Sequence, residues 1–280
     1  MRRITYALIL LSFASPAAAA DLDFDFLRGS ETVGPGTYTR WSGFYVGGQL
    51  GYGWATTDFS GSAAPQIAYS LRETDLEAAY APSQWPILGS ATAGAPRFGG
   101  FVGYNVQFED LIVGVEANLD HGAFKLVAPS NPIARTLAAD SSGNAYSVSL
   151  SGSGEVDTMD FATVRARAGY VVGNFMPYGF AGFAMGLANV SVTGTVSGVE
   201  YTSGTVGTCT ATAVCIPFLY SSSYTHNNEV LYGYTVGAGV DVALTPNVFV
   251  RAELELEQFN MQPNLFLTAT TARLGAGYKF

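Results

Sequence analysis

Apolar and polar residues alternate with a period of two in eight stretches of this chain, and no run of 18 or more apolar residues follows residue 20. Successive side chains of a strand point to opposite faces, so each such stretch carries one apolar and one polar face. The stretch 248–258 is the cleanest, with Val248, Val250, Ala252, Leu254 and Leu256 set against Arg251, Glu253, Glu255 and Glu257. Only 12% of the chain is charged, against 48% hydrophobic, which is unusual for a domain in water. In hydrocarbon every backbone N–H and C=O needs an internal partner, so only helices or closed barrels span a bilayer. With no helix long enough in the mature sequence, a closed barrel is the expectation.

The alternation defines eight strands of about ten residues, the length needed to cross a bilayer at a tilt. They fall at about 43–55, 97–108, 111–121, 160–172, 177–190, 229–243, 248–258 and the C-terminal stretch through Phe280. Outward faces are Phe44, Val46, Leu50, Tyr52 and Trp54 in the first, and Ala272, Leu274, Ala276, Tyr278 and Phe280 in the last. The stretch 177–190 does not fix which face is which. Connections alternate in length. Glu109-Asp110, 173–176 and Thr245-Pro246-Asn247 are tight turns, whereas 56–96, 122–159 and 191–228 are long and rich in Ser, Thr, Gly and Ala. Long structureless loops argue against a soluble domain but suit a barrel with long extracellular loops and short periplasmic turns. Alternation continues in places such as Val190–Val196, so some strands are expected to rise above the membrane.

The N-terminus reads as a secretory signal peptide over residues 1–20: Arg2 and Arg3, an apolar run Ile4–Phe13, and small residues Ala17–Ala20. That run is about half of what a spanning helix needs. Residues 21–41 read as a periplasmic tail, and 42–280 as one barrel domain. Removing the signal leaves eleven basic against twenty-two acidic residues, so the formal charge moves from −9 to −11. No nucleic-acid partner is expected from that balance. Export implies an oxidising compartment, so Cys209 and Cys215, separated by five residues, are expected to form a local disulfide.

The last residues, Arg273-Leu274-Gly275-Ala276-Gly277-Tyr278-Lys279-Phe280, resemble the terminal strand of bacterial outer-membrane β-barrels. That resemblance implies that Arg273, Gly275, Tyr278 and Phe280 form the signal read by the barrel-assembly machinery. Trp41-Ser42-Gly43-Phe44-Tyr45-Val46-Gly47 resembles the opening strand of the alphaproteobacterial RopB-like porin family, whose members are OmpA-like eight-stranded barrels. The stretch Tyr232–Val242 and the Gly-x-Gly-Tyr-Lys-Phe ending fit the same family. The resemblance implies an eight-stranded antiparallel transmembrane β-barrel in the bacterial outer membrane, with lipid and lipopolysaccharide around it. It also implies an envelope-structural protein, a surface antigen or a small porin; oligomeric state is not implied.

Strand parity turns twelve charges inward: Arg97, Glu116, Asp120, Arg165, Arg167, Asp241, Arg251, Glu253, Glu255, Glu257, Arg273 and Lys279. The interior of an eight-stranded barrel is just wide enough for side chains to fill. Two readings stay open. In one the charges pair into a plug, with Arg165 and Arg167 held by Glu116, Glu253 and Glu255; in the other they tune a narrow ion path. Catalysis finds little support, because His121 and His226 have no Ser at short spacing, although loop Ser and Thr could approach by folding, and two His and two Cys far apart make no zinc site. No cofactor is expected. Tyr52, Trp54, Tyr104, Tyr170, Tyr178, Tyr232, Tyr234, Tyr278 and Phe280 are read as interfacial girdles. Tyr69, Tyr80 and Trp85 form a possible loop cluster for a sugar or haem. The leading reading is a structural, surface-exposed protein without chemistry of its own; a small porin or a surface ligand binder is the alternative.

Overall fold

The computed structural model describes residues 40–202, 204–207, 209–211, 214–261 and 265–280. The expected signal peptide and all but the last two residues of the tail lie outside the described residues. Nine strands follow in order: β1 Gly43–Asp58, β2 Ser90–Phe108, β3 Leu111–Val127, β4 Ile133–Leu137, β5 Ala145–Tyr170, β6 Phe175–Tyr201, β7 Cys215–Ala243, β8 Val248–Met261 and β9 Leu265–Lys279. Each barrel strand pairs antiparallel with its neighbours. The ring closes because β1 pairs with β9 and β3 pairs with β5. β4 lies beside β5 outside that ring, so eight strands form the barrel. Closure leaves no free edge at the level of the ring, which is what a wall without surrounding water requires.

The outer face is apolar over a band of limited height. On β3 it runs from Leu111 through Val113, Val115 and Ala117 to Leu119, and then changes to His121 and Lys125. Eight residue steps span ~27 Å along the strand, or ~21 Å along the barrel axis at a tilt of ~40°, close to the apolar band of an outer-membrane barrel. Exposed aromatics flank the band. Phe44, Tyr104, Tyr170, Phe175, Tyr278 and Phe280 lie toward the end with the tight turns, and Tyr52, Trp54, Phe98, Tyr232 and Tyr234 toward the other. Above it the outward side chains ion-pair in the open, His121 with Asp160 at 2.7 Å and Lys125 with Glu155 at 2.6 Å.

Three register shifts sit at that upper boundary, at His121/Phe124, Thr158/Asp160 and Ala188/Val190. A bulge bends a strand and increases its twist. Beyond these bulges β5, β6 and β7 continue for more than ten residues, so much of 122–159 and 191–228, expected as loop, is strand. Their connections shrink to 128–144 and 202–214. The connection 59–89 folds into two short helices, α1 Ala64–Ser70 and α2 Asp75–Tyr80, followed by a single 3₁₀ turn Pro82–Gln84. The Thr74 hydroxyl accepts from the Glu77 amide at 3.3 Å and caps α2.

Candidate functional site

The barrel interior is built in three layers. At the end with the tight turns, an apolar layer is formed by Trp41, Tyr45, Phe101, Ile112, Val171, Met176, Tyr178, Phe180 and Phe249. Its rings lie on glycines of neighbouring strands. A Cβ at Gly103 would meet the Tyr45 hydroxyl at 2.2 Å, and one at Gly237 would meet the Phe180 ring at 2.3 Å. A side chain at either position would push the ring out of the interior, so the glycines of the alternating pattern supply room for the rings that fill it.

The middle layer is ionic. Arg165 donates to Glu116 at 2.5 Å, Glu253 at 2.7 Å and Glu255 at 3.3 Å, with its guanidinium 3.9 Å from the Phe180 ring centre. Arg251 bridges Asp241 at 2.8 Å and Glu116 at 2.9 Å. Arg167 reaches Asp241 at 2.7 Å and Glu116 at 3.1 Å. Arg273 donates to Asp120 at 2.5 Å, to Glu253 at 2.8 Å and to Glu255. Arg97 donates to Glu257 at 2.5 Å and to the Thr271 hydroxyl at 2.7 Å. Hydroxyl and amide donors occupy further carboxylate oxygens: Tyr45 on Glu116, Tyr178 on Glu253, Thr235 on Glu255 and Gln49 on Asp120. No side chain of these ion pairs is more than 4% exposed. Five guanidiniums and six carboxylates thus lie on six different strands and tie the walls together. Lys279, the twelfth inward charge, stands apart at the lower end, where its ammonium donates to the Arg40 carbonyl beside the Trp41 ring.

The upper layer is apolar again. Phe124, Phe161, Leu231, Phe259, Leu267 and Ala269 pack above the ions, and the 59–89 connection closes over them. Phe59, Ile67, Leu71, Ile87 and Leu88 are fully buried against Leu150, Val156, Val190, Val192 and Val196 of the raised strands. The first long connection is therefore a stopper seated in the mouth of the barrel. At its rim Asp140 accepts from the amides of Asn144 and Ser142 and from the Tyr146 hydroxyl. The Asn144 amide, before the others, holds the Asp140 carboxyl below the usual range; burial, helped by Asp140, pushes the Tyr146 hydroxyl up.

Two expectations change. Tyr178, assigned to a girdle, lies inside with its hydroxyl on Glu253, because β6 turns Met176, Tyr178 and Phe180 inward and Pro177, Phe183 and Met185 outward. The alternation there is between large and small residues rather than apolar and polar, which hid the facing. The loop aromatics do not share one open face either: Trp85 is buried beneath Arg135, Tyr80 donates to the Ala138 carbonyl, and Tyr69 is exposed under Arg72. Tyr45, Phe101 and Phe249 were missed, although the odd positions of their stretches already turned them inward. Gly275 lies on β9 within 3.3 Å of the Phe101 ring, measured from a Cβ built on it, while Tyr278 and Phe280 stack edge-to-face on the outer wall at 5.2 Å. Cys209 and Cys215 are disulfide-bonded, with Cα atoms 5.6 Å apart. His121 pairs with Asp160 beside Phe98, and His226 stacks on Tyr224.

A family model for an outer membrane protein β-barrel domain matches residues 5–280. The 31 kDa outer-membrane immunogenic protein of Brucella melitensis biotype 1 is 26% identical over 293 residues, covering all of both chains. The 25 kDa outer-membrane immunogenic protein of Brucella canis is 24% identical over 280 residues, covering 97% of this chain and 94% of its own. Among solved structures, Neisserial surface protein A matches 85% of this chain and 98% of its own at 17% identity, with a TM-score of 0.37.

Proposed function

The protein belongs to the outer-membrane β-barrel family and resides in the outer membrane, and from that premise we propose that it is a closed, structural barrel that presents its raised wall at the cell surface. The observation that carries the proposal is the ionic layer, whose charges are spent on one another between two apolar layers. A buried charge is costly unless paired and hydrogen-bonded, and here each guanidinium meets at least one carboxylate within 3 Å. The short turns and Lys279 then face the periplasm, and the 59–89, 128–144 and 202–214 connections face outward. That orientation accords with relatives named as immunogenic outer-membrane proteins. The assembly machinery would read Arg273, Gly275, Tyr278 and Phe280 before β9 pairs with β1.

Single-channel recording of refolded protein in planar bilayers tests the closed lumen. Small or no conductance is expected. Large, long-lived channels from monomeric protein would overturn the proposal and make the barrel a porin. The excess of one carboxylate over the guanidiniums favours a narrow cation path as the second reading. A small conductance whose ion preference changes in Arg165→Leu would establish it.

A further inference from the structure

The ring is closed at the level of the apolar band, but not above it. β8 pairs with β7 only from Tyr232 to Ala243, and the β8–β9 hairpin ends at Met261 and Leu265. β7 continues upward to Cys215 and pairs there with β6 alone among the described residues. Among the described residues its other side is a free strand edge from Ile216 to Thr225. Such an edge presents unpaired N–H and C=O groups in a row and is a template for a further strand. Pro217 removes one donor near the tip, which leaves Phe218–Thr225 as the longest uninterrupted stretch. The disulfide to Cys209 ties down the upper end of that edge. At the lower end the Asn228 amide donates to the Asn189 side chain at the bulge.

A groove runs along this edge. On one side stand Ile216, Phe218 and Tyr220; on the other the α1–α2 segment brings Leu71, Thr74 and Asp75. The groove holds a cavity of about 450 Å³ that continues into a second of about 490 Å³ between Tyr69–Glu73 and Leu219–Ser222. Its charged groups are Glu200, Asp75 and Glu73 against a single Arg72, whose guanidinium is already turned onto Tyr69 and its carbonyl. The Glu200 carboxylate makes no hydrogen bond or ion pair among the described residues. Its lining mixes apolar and aromatic side chains with hydroxyls and an excess of acidic groups.

We propose that the upper edge of β7 is a docking site for an extended, basic segment of another protein, which adds to β6–β7 as a further antiparallel or parallel strand. The backbone edge supplies the hydrogen bonds, while alternate side chains of the segment enter the groove, where Glu200 and Asp75 receive a Lys or Arg. A second copy of this chain is a poor occupant. The chain is acidic overall, so neither copy brings excess positive charge to the other's acidic rim. The site is separate from the lumen, so its failure leaves the closed-barrel reading untouched.

The test uses the refolded full barrel and three labelled heptapeptides: Thr-Lys-Thr-Val-Thr-Lys-Thr, the same with Glu for each Lys, and the same with Pro for the central Val. Anisotropy titration should show the basic peptide binding about tenfold more tightly than the other two, the size expected when two rim charges or the central edge bonds are lost. Hydrogen exchange should slow at amides within 218–225 and be unchanged within 232–243. The double variant Glu200→Gln, Asp75→Asn should weaken binding about tenfold at unchanged thermal stability, and Ser221→Pro should abolish the protection. Equal binding of all three peptides, or binding without protection along β7, would overturn the proposal. So would copies that cross-link through β7 while binding no peptide.

Discussion

Arg165→Leu tests the ionic layer where it is most concentrated. The side chain is 1% exposed and donates to Glu116, Glu253 and Glu255 while stacking on Phe180. Leucine fills part of the volume and keeps the contact with Phe180, so packing loss is small. The dominant effect is three carboxylates that lose their shared cation in a place water does not reach. Removing one partner of a buried pair costs about 3–5 kcal/mol, mostly as the penalty on the charge left behind. For a domain near 240 residues each kcal/mol moves the unfolding midpoint by roughly 2–4 °C, so a fall on the order of 10 °C is expected. The assay is the temperature at which the refolded barrel loses its compact, faster-migrating form on unheated gels. Glu253→Gln added to Arg165→Leu should return part of the loss, because it removes one of the stranded charges. As a control, Lys125→Met breaks the open Lys125–Glu155 pair and should leave the midpoint unchanged. A midpoint within 2 °C of the parent in Arg165→Leu, with no recovery in the double variant, would refute the paired-plug reasoning.

Deletion of Phe280, or Phe280→Ala, should lower the amount of heat-modifiable barrel in the outer-membrane fraction while exported protein accumulates in the periplasm; an unchanged membrane fraction counts against the assembly role. Asp140 gives a pH dependence outside the membrane. Its carboxyl is held below the usual range in the fold, so the turn it organises is fully supported above about pH 4 and loses that support as the pH falls through the lowered folded value. Amide exchange at Ser142 and Asn144, normalised to an unstructured peptide, should rise on acidification, and Asp140→Asn should show the faster exchange at every pH with no acid step.

Facing was legible in the sequence and height was not, for a physical reason. A period of two is fixed by the pleat, and one face of the wall meets hydrocarbon, so Val248, Val250 and Leu254 against Arg251, Glu253 and Glu255 admit only one arrangement. The same logic fails in β6, where the outward side needs only to be apolar and the inward side is apolar too. There, Tyr178 and Phe180 alternate with Gly179 and Ala181, and ring against glycine carries the information instead. Above the band the constraint changes again. Water replaces lipid on the outside, so Ser and Thr face outward in β5 and β6, and the stretches read as loop although their inward residues Val148, Leu150, Val156, Val190, Val192 and Val196 form a core as apolar as any soluble one. What that core packs against is α1, and nothing local in Ala64–Ser70 announces it, since a seven-residue helix with Ile67 buried and Leu71 buried just past its end is set by the mouth it fills rather than by its own propensity. The raised wall and its stopper form by the rules of a protein in water, the band below by those of a protein in lipid, and the bulges at His121, Met159 and Asn189 mark where one set of rules passes to the other.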